Sequence, residues 1–366
     1  NRPPYENISQ TSGNSFTPSV AVSNDGTVYV VWAESTGVNN FEIFFSENHG
    51  SGWSDALNIS ANATISVAPD VTVDGSGNVH VCWWDFIFEG PDNMALYRMR
   101  RADGTWDTIQ VVAHTTTASD SVVTLPRIAA GFNDVVYIMW WGYMGESGLR
   151  YRIKADGNWS DIMVVPGLLA HNPASISVDL YGNLHIAYEG SDAIHYEMLT
   201  PGGTWQNFAT ITEGSQYRLR PDITIDEVGV VYVTWSMPDD EYYIYYSENS
   251  AGTWASPTKL PMQMPDDIGF ESSIDIDRDG CLHFVWQNRT KDAATNQYGE
   301  TDIYYVCRSS SGDWSSVHNI SNTAGISIAH GGSLQVDESG NAHVVWADNE
   351  LGNYEIFYLK IPKDSL

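Results

Sequence analysis

Alternating hydrophobic and polar residues recur seven times along the chain, each time in a stretch that ends on an aromatic residue. The clearest copy is PDVTVDGSGNVHVCW, from Pro69 to Trp83. The other six copies begin at Pro18, Pro126, Ala174, Pro221, Ser272 and Gly332. Successive starts lie 51, 57, 48, 47, 51 and 60 residues apart, a spacing typical of one four-stranded blade of a β-propeller. The pattern therefore predicts seven blades.

One copy predicts the strands of one blade. In the first copy, Pro18 to Ser23 alternates and predicts strand A, and Val28 to Trp32 predicts strand B. The Asn-Asp-Gly between them is typical of a tight hairpin, because glycine readily adopts positive φ. Glu42 to Phe45 and Trp53 to Ile59 predict strands C and D.

The last copy ends at its strand C, so its strand D must come from elsewhere. Tyr5 to Ser9 matches the D strands Ala56 to Ser60 and Val317 to Ser321 at a shared Asn-Ile-Ser. We therefore expect an all-β, seven-bladed propeller of four-stranded antiparallel blades, closed by an N-terminal strand at about residues 5–9. Residues 1–366 would form a single domain. Closure also removes an exposed sheet edge that would otherwise promote aggregation.

The amino-acid composition limits the classes of partner that the protein is expected to bind. The 366 residues include 46 acidic and 17 basic side chains, for a formal net charge of −29. Nucleic acid and anionic membrane surfaces are therefore not expected partners, because they require a basic face. The carboxylates favour solubility, and calcium held by some of them is the alternative. No run of 18 apolar residues is present, so membrane insertion is not expected.

Three cysteines are too few for a disulfide-rich scaffold. If Trp286 lies opposite Asp302, the same antiparallel register places Cys281 opposite Cys307, where a disulfide is geometrically possible. Two reduced thiols are the alternative. Cys82 lies within a strand and is expected to be buried.

The turns between strands C and D carry a degenerate motif. Ser46 to Trp53 (SENHGSGW) is closest to the form S-x-D-x-G-x-x-W, with Asn48 in place of the aspartate, and Ser247 to Trp254 is a looser copy. In this respect the chain resembles the Asp-box (BNR-repeat) propellers of the sialidase-like superfamily. The resemblance implies a secreted or cell-surface protein whose functional face lies opposite these turns. Sialidases have six blades, so we do not expect a true sialidase.

Residues that recur in every copy are expected to be structural. Twelve of the fourteen tryptophans end B strands or begin D strands, which leaves Trp84 and Trp141. One B-strand position is always His or Tyr, which suits a buried ring with a polar contact. An aspartate that closes strand A is expected to cap its own turn. Three further histidines, His114, His171 and His330, lie in connections between blades.

The remaining residues indicate a functional face formed by the D–A connections and the B–C loops. We expect catalytic residues, if any, among His171, Tyr217, Arg218 and Arg220. A second group is expected to contact a ligand: Arg127, Trp84, Trp141, Glu189, His114 and Arg289. Guanidinium groups suit a carboxylate-bearing sugar, and an indole can stack on a pyranose face.

Three functions compete. The first is an extracellular carbohydrate-recognition propeller that binds an acidic glycan or polysaccharide without catalysis. The second is a carbohydrate-active enzyme, either a polysaccharide lyase with a His or Tyr base or a glycoside hydrolase of sialidase-like type. The third is a cell-surface protein-interaction or structural module, which the fold alone does not exclude.

Overall fold

The computed structural model confirms an all-β propeller of seven antiparallel sheets. It describes residues 5–62, 64–87, 92–115, 121–131, 133–144, 147–166, 174–190, 193–212, 220–238, 242–250, 252–262, 267–292, 295 and 297–365. Strand A is innermost in each blade, and strand D forms the rim. A short 3-10 helix, Lys363–Ser365, follows the last strand.

The strands of the first four blades are given in the order A to D. Blade 1 contains Ser15–Val22, Val28–Gly37, Asn40–Asn48 and Leu57–Asn58. Blade 2 contains Ile65–Val73, Val79–Phe86, Asn93–Arg100 and Gln110–Thr115. Blade 3 contains Ser121–Ala130, Val136–Met144, Ser147–Ala155 and a divided D strand, Asn158–Trp159 and Met163–Val164. Blade 4 contains Ser175–Val178, Leu184–Glu189, Ile194–Leu199 and Trp205–Thr212.

The last three blades follow the same order. Blade 5 contains Asp222–Ile225, Val231–Pro238, Tyr242–Ser250 and a divided D strand, Thr253–Trp254 and Thr258–Lys259. Blade 6 contains Ile268–Ile276, Leu282–Asp292, Gln297–Arg308 and His318–Asn319. Blade 7 has a divided A strand, Ser327–Ile328 and Leu334–Val336, then Ala342–Asp348, Glu355–Ile361 and, from the N-terminus, Glu6–Asn7.

The N-terminal segment closes the ring as predicted. Glu6 pairs with Tyr358 and Asn7 with Phe357, and the Ile8 amide donates to the Ile356 carbonyl at 2.8 Å. The Tyr5 ring lies 5.3 Å from that of Phe357 in an edge-on arrangement. The two ends of the chain are therefore held in one sheet.

The recurring aromatic residues are structural, as expected. The six B-strand tryptophans are fully buried. Each D-strand tryptophan packs against a C-strand aromatic ring of the preceding blade, with ring centroids 4.8–5.9 Å apart. One of these contacts, Trp53 with Tyr358, joins the first blade to the last. The same aromatic contact is thus repeated around the ring.

The B-strand histidines form buried triads with the aspartate of the adjoining turn. In blade 2, His80 Nδ1 lies 2.7 Å from Tyr97 Oη, and its Nε2 lies 2.9 Å from Asp74 Oδ2. The other Asp74 oxygen accepts the amides of Ser76 and Asn78, so the aspartate also caps its own turn. Blades 4 and 7 repeat this arrangement at His185 and His343. In blade 6, His283 Nδ1 contacts Tyr305 Oη at 2.7 Å, but its Nε2 lies 3.9 Å from Asp277 Oδ2. Both structural expectations for these positions are confirmed.

The serine of the repeated Asn-Ile-Ser joins strand D to a carboxylate on strand C of its own blade. Ser60 Oγ donates to Glu42 in its own blade, and two residues later Asn62 Nδ2 donates to Asp85 of blade 2 at 2.7 Å. The copies at Ser9 and Ser321 donate to Glu355 and Asp302 in the same way. The motif recurs because its serine donates to a carboxylate on strand C in each of these three blades.

The expected register of blade 6 is wrong by two residues. Trp286 pairs with Tyr304, and Cys307 pairs with His283, so Cys281 does not lie opposite Cys307. All three cysteines are free, with Cys82 fully buried. The same register recurs in other blades, where Trp32 pairs with Phe44 and Trp346 with Phe357. None of the described helices is long and apolar enough to cross a membrane.

Candidate functional site

A cavity opens on the propeller axis at the face where the A strands begin. Since strand B returns antiparallel to strand A, the B–C loops lie on the same face as the D–A connections. The cavity has a volume of about 290 Å³. Four prolines from different blades contribute apolar surface to its wall: Pro18, Pro69, Pro126 and Pro221. This is the face on which the sequence predicted the functional residues.

A recurrent backbone feature directs side chains into the cavity. The residue before the repeat has a positive φ in five blades, at Thr17 (49°), Ala68 (50°), Leu125 (46°), Arg220 (34°) and Glu271 (55°). In four of these blades the A–B register shifts at this point, as in a β-bulge. All five residues line the cavity. Left-handed conformations of non-glycine residues are costly and often occur at functional sites.

Three polar side chains from consecutive blades meet at the cavity wall. Arg220 of blade 5 forms an ion pair with Glu271 of blade 6 through Oε1 of the carboxylate. His330 lies between the two parts of strand A of blade 7, with Nδ1 3.4 Å from Glu271 Oε2. Burial alone would raise the pKa of Glu271. The hydrogen bond and charge of His330, together with Arg220, outweigh burial and lower that pKa below its usual value.

Arg127 of blade 3 lies next to this group. Its Nη1 donates to the Gly331 carbonyl at 3.1 Å and lies 3.9 Å from Asp70 Oδ1. Gly331 follows His330 directly, so Arg127 and His330 line one part of the cavity. A Cβ on Gly331 would lie 3.3 Å from Arg127 Nη2. The glycine thus permits the close approach of this guanidinium to the backbone.

Buried carboxylates below the cavity hold the blades together. Asp70 Oδ2 accepts the Ile128 amide of the next blade at 2.9 Å. Asp222 accepts Ser175 Oγ at 2.6 Å, Ser273 Oγ at 2.7 Å and the Ile274 amide at 3.1 Å. Burial raises the pKa of Asp70, with the nearby Arg127 opposing the shift. These aspartates join adjacent A strands and line a second, polar cavity of about 190 Å³, which shares Arg127, Ser175 and Gly331 with the first.

The structure brings together only some of the predicted site residues. Arg127 and Arg220 line the cavity. His171, Tyr217 and Arg218 lie outside the described residues. The other five described residues do not line the cavity: Trp84, Trp141, Glu189, His114 and Arg289.

These five residues have other environments. The Trp84 indole donates to Asn93 Oδ1 at 3.1 Å, and the half-buried Trp141 packs against the core cluster shared by blades 3 and 4. His114 is exposed and lies 3.1 Å from Asp92. Glu189 and Arg289 lie toward the ends of the B strands of blades 4 and 6, where they pair with Ile194 and Thr301.

Glu271 was not among the residues predicted from the sequence, and His330 had no assigned role. Glu271 occupies the same position as Arg220, immediately before the start of the repeat. Alignment of that position in all seven copies would have grouped the two residues. The signal for His330 was Gly332, two residues further on, at a position where other copies have proline, alanine or serine.

In the described ranges, no group of three or more His, Cys, Asp or Glu side chains is arranged to hold a metal ion. Bound calcium therefore stays a prediction.

Comparisons with known proteins identify similar structures but no sequence family. No family model and no curated protein matches the chain. An ulvan lyase, a polysaccharide lyase solved with a bound glucuronate–sulfated rhamnose ligand, aligns with a TM-score of 0.62 at 9% identity, over 99% of this chain and 94% of that one. These similarities show the fold alone.

Two other solved structures are similar over most of this chain. The NanB sialidase of Streptococcus pneumoniae aligns with a TM-score of 0.56 at 11% identity, over 99% of this chain and 71% of that one. The α-L-arabinanase of Penicillium chrysogenum, solved with arabinobiose, gives 0.57 at 14% identity, over 84% and 97% of the two chains. The chain thus has a sialidase-like β-propeller fold.

Proposed function

We propose that the protein binds an acidic glycan or polysaccharide in the axial cavity, with a carboxylate of the sugar held by arginine. The observation that carries the proposal is the presence of Arg127 and Arg220, from blades 3 and 5, in the wall of one cavity. Guanidinium groups bind carboxylates through paired hydrogen bonds. Their concentration at this point stands out in a chain with a net charge of −29.

The shape and lining of the cavity also suit a sugar. The proline rings offer flat apolar surface for the faces of a pyranose, and Ser175 and Ser272 add polar groups. Binding sites commonly combine apolar walls with a few convergent polar groups. The similar structures include proteins solved with arabinobiose and with a uronate-containing ligand, which supports a carbohydrate as the ligand class.

We further propose that the protein is secreted or lies at a cell surface. Its acidity and its degenerate Asp-box turns support this location. In one such turn, Asn48 Oδ1 accepts the amides of Gly50 and Gly52, as a turn-capping aspartate would.

Binding can be tested by titration calorimetry with oligosaccharides of polygalacturonate, alginate and ulvan, using neutral arabinan as the comparison. Arg127→Gln and Arg220→Gln should each weaken binding of the acidic ligand by about 10-fold or more, as expected for loss of a charge-assisted hydrogen bond. Arg101→Gln is the matched control. Arg101 is ion-paired with Asp107 in a C–D turn on the opposite face, and its loss should leave the affinity unchanged.

Each result has a defined meaning. Tighter binding of an acidic glycan than of arabinan, weakened by both cavity substitutions, supports the proposal. Equal binding of arabinan, or unchanged affinity in both variants, contradicts it. Absence of binding to every glycan also contradicts it and favours the protein-interaction or structural module. An affinity lost in EDTA and restored by calcium would support the calcium prediction.

A second candidate function is catalysis on the bound glycan. The contact between His330 and Glu271 favours it, because a carboxylate that holds one imidazole nitrogen prepares the other nitrogen for proton transfer.

A further inference from the structure

His330 is positioned by backbone contacts in the segment between the two parts of strand A of blade 7. Its carbonyl accepts the Ser333 amide at 3.1 Å, and its own amide donates to Ser333 Oγ at 2.8 Å. The Gly332 carbonyl accepts the Val20 amide of blade 1 at 3.0 Å. Gly332 has a φ of 88°, and a Cβ there would lie 3.1 Å from Ser19 Oγ. These hydrogen bonds therefore fix the backbone beside His330 near the propeller axis.

The Glu271 carboxylate orients the imidazole of His330. With Arg220 on one oxygen and His330 Nδ1 on the other, and with its pKa lowered, Glu271 is an anion at neutral pH. It therefore favours the tautomer in which Nδ1 carries the proton. Within the described part of the chain, Nε2 of His330 has no hydrogen-bond partner. The side chain is 29% exposed, so Nε2 is available to a ligand.

We propose that His330, held by Glu271, is the proton acceptor in a β-elimination that cleaves a uronate-containing polysaccharide in the axial cavity. This inference rests on the proposed function, since the substrate carboxylate must first be bound by Arg127 and Arg220. The arginines stabilise the negative charge that develops on the carboxylate when the neighbouring carbon loses its proton. Glu271 is a positioning residue, and His330 is the catalytic residue.

The reaction balances without a co-reactant. His330 Nε2 takes the proton from C5 of the uronate, and the electron pair of the C5–H bond forms the C4–C5 double bond. The glycosidic bond between C4 and its oxygen breaks, and that oxygen leaves with the bonding electrons. The imidazolium then returns the proton to the departing oxygen. The products are an unsaturated uronate and a shortened glycan, and no water is consumed.

The carboxylate that lines the cavity favours elimination over hydrolysis. Most glycosidases use two carboxyl groups, one of which is protonated when the cycle begins. Glu271 lines the cavity and is kept ionised by its ion pair. Burial raises the pKa of Asp70, but Asp70 and Asp222 line the adjoining polar cavity, where Ser19, the Ile128 amide, Ser175 and Ser273 occupy their oxygens. Of the described lining residues, His330 is the group best placed to accept a proton.

The experiment measures ultraviolet absorbance of the unsaturated uronate with polygalacturonate, alginate and ulvan as separate probes, alongside calorimetric binding. The intact protein should generate product from at least one probe that it binds. His330→Ala should lower kcat by about 100-fold or more, the usual contribution of a general base, while its affinity stays within a few-fold of the parent protein. His49→Ala is the control, because His49 is exposed on the opposite face beside Glu47.

Glu271→Gln distinguishes positioning from a purely structural role. Glu271 is the charged group in contact with His330. Arg220 pairs with the other oxygen of Glu271, and Arg127, Asp70 and Asp222 lie beside the two glycines that follow His330. Removal of the nearest negative charge destabilises the imidazolium. The acid limb of the pH profile of kcat/KM should therefore move to lower pH in Glu271→Gln. An unchanged midpoint would contradict the positioning role.

The outcomes separate this inference from the proposed function. Binding without product in the intact protein overturns the elimination and leaves glycan recognition standing. New reducing ends without ultraviolet absorbance also overturn it, since they indicate hydrolysis. Product at the parental rate in His330→Ala excludes His330 as the base. Absence of both binding and product overturns the two proposals together.

Discussion

Closure of the ring by the N-terminal strand gives a quantitative prediction. Ile8, Ile59 and Ile320 occupy the same position of the Asn-Ile-Ser motif in three D strands, and all three side chains are buried. Ile59 and Ile320 belong to blades whose four strands are continuous in sequence. Only Ile8 requires the N-terminus to reach blade 7. Substitution of each isoleucine by alanine therefore tests closure within one protein.

The expected loss of stability follows from the burial of the three isoleucine side chains. Replacement of a buried isoleucine by alanine costs about 2–5 kcal/mol, from the lost transfer free energy and the cavity that remains. Unfolding entropies near 2.1 cal/mol/K per residue give roughly 0.8 kcal/mol/K for this chain length. Each variant should therefore lower Tm by roughly 3–6 °C. Ile8→Ala should resemble Ile59→Ala and Ile320→Ala, because the three environments match.

The assay is calorimetric or fluorescence-detected thermal unfolding of the three variants and the parent protein under identical conditions. Val38→Ala is a control, since Val38 is 96% exposed in a loop and its loss should leave Tm unchanged. Retention of the parental Tm by Ile8→Ala, while the other two variants lose stability, would refute closure by this strand. Equal losses in all three variants support it.

Three further predictions concern the axis, pH and the thiols. Asp222→Ala removes the acceptor of three hydrogen bonds across blades 4–6. It should lower the free energy of unfolding, measured in urea, by about 3–5 kcal/mol. A change near zero would show that these hydrogen bonds are dispensable. Burial lowers the pKa of His343 despite its contact with an aspartate, so the unfolded chain takes up its proton more readily as pH falls. The free energy of unfolding should therefore decrease below about pH 6.5, and His343→Gln should reduce this slope in Tm measured against pH. Cys82, whose thiol is buried with a raised pKa, should react with a thiol reagent only after unfolding. Cys281 and Cys307 are partly exposed and should react more readily in the folded protein. Labelling of Cys82 before unfolding would contradict the packing around it.

The repeat predicted the blades well because its signal is local. Alternation along strand A, a glycine turn and a B strand that ends in tryptophan, as at Trp83, are read from about fifteen consecutive residues. Hydrogen bonding between adjacent strands then follows from the antiparallel hairpin. The strand at Glu6–Asn7 was also predictable, because it repeats a motif whose two other copies lie in intact blades.

The register of blade 6 was available from the other blades but was placed wrongly. Trp286 pairs with Tyr304 just as Trp32 pairs with Phe44 and Trp346 with Phe357. The expectation instead placed Trp286 opposite Asp302, two residues away, and so brought Cys281 opposite Cys307. The shift in the long hairpin of blade 6 lies beyond Arg289, toward the loop, and does not affect these pairs.

The candidate site was predicted only in part. The sequence placed Arg127 and Arg220 on the functional face, but it did not indicate which singular side chains converge. Trp84 and Trp141 follow fully buried tryptophans in their B strands and are half-buried away from the cavity. A propeller brings together residues about fifty positions apart, so sequence proximity is a poor guide to contact.

The amino-acid sequence by itself determined the number of blades, their strand order and the origin of the closing strand, because these properties depend on short-range alternation and on internal repetition. Only the tertiary structure decided that Arg220, Glu271 and His330 form one group. The left-handed residue before the repeat, Arg220 in blade 5 and Glu271 in blade 6, lines the axial cavity, and the ring places blades 5, 6 and 7 side by side. Three residues separated by 51 and 59 positions thereby come into contact.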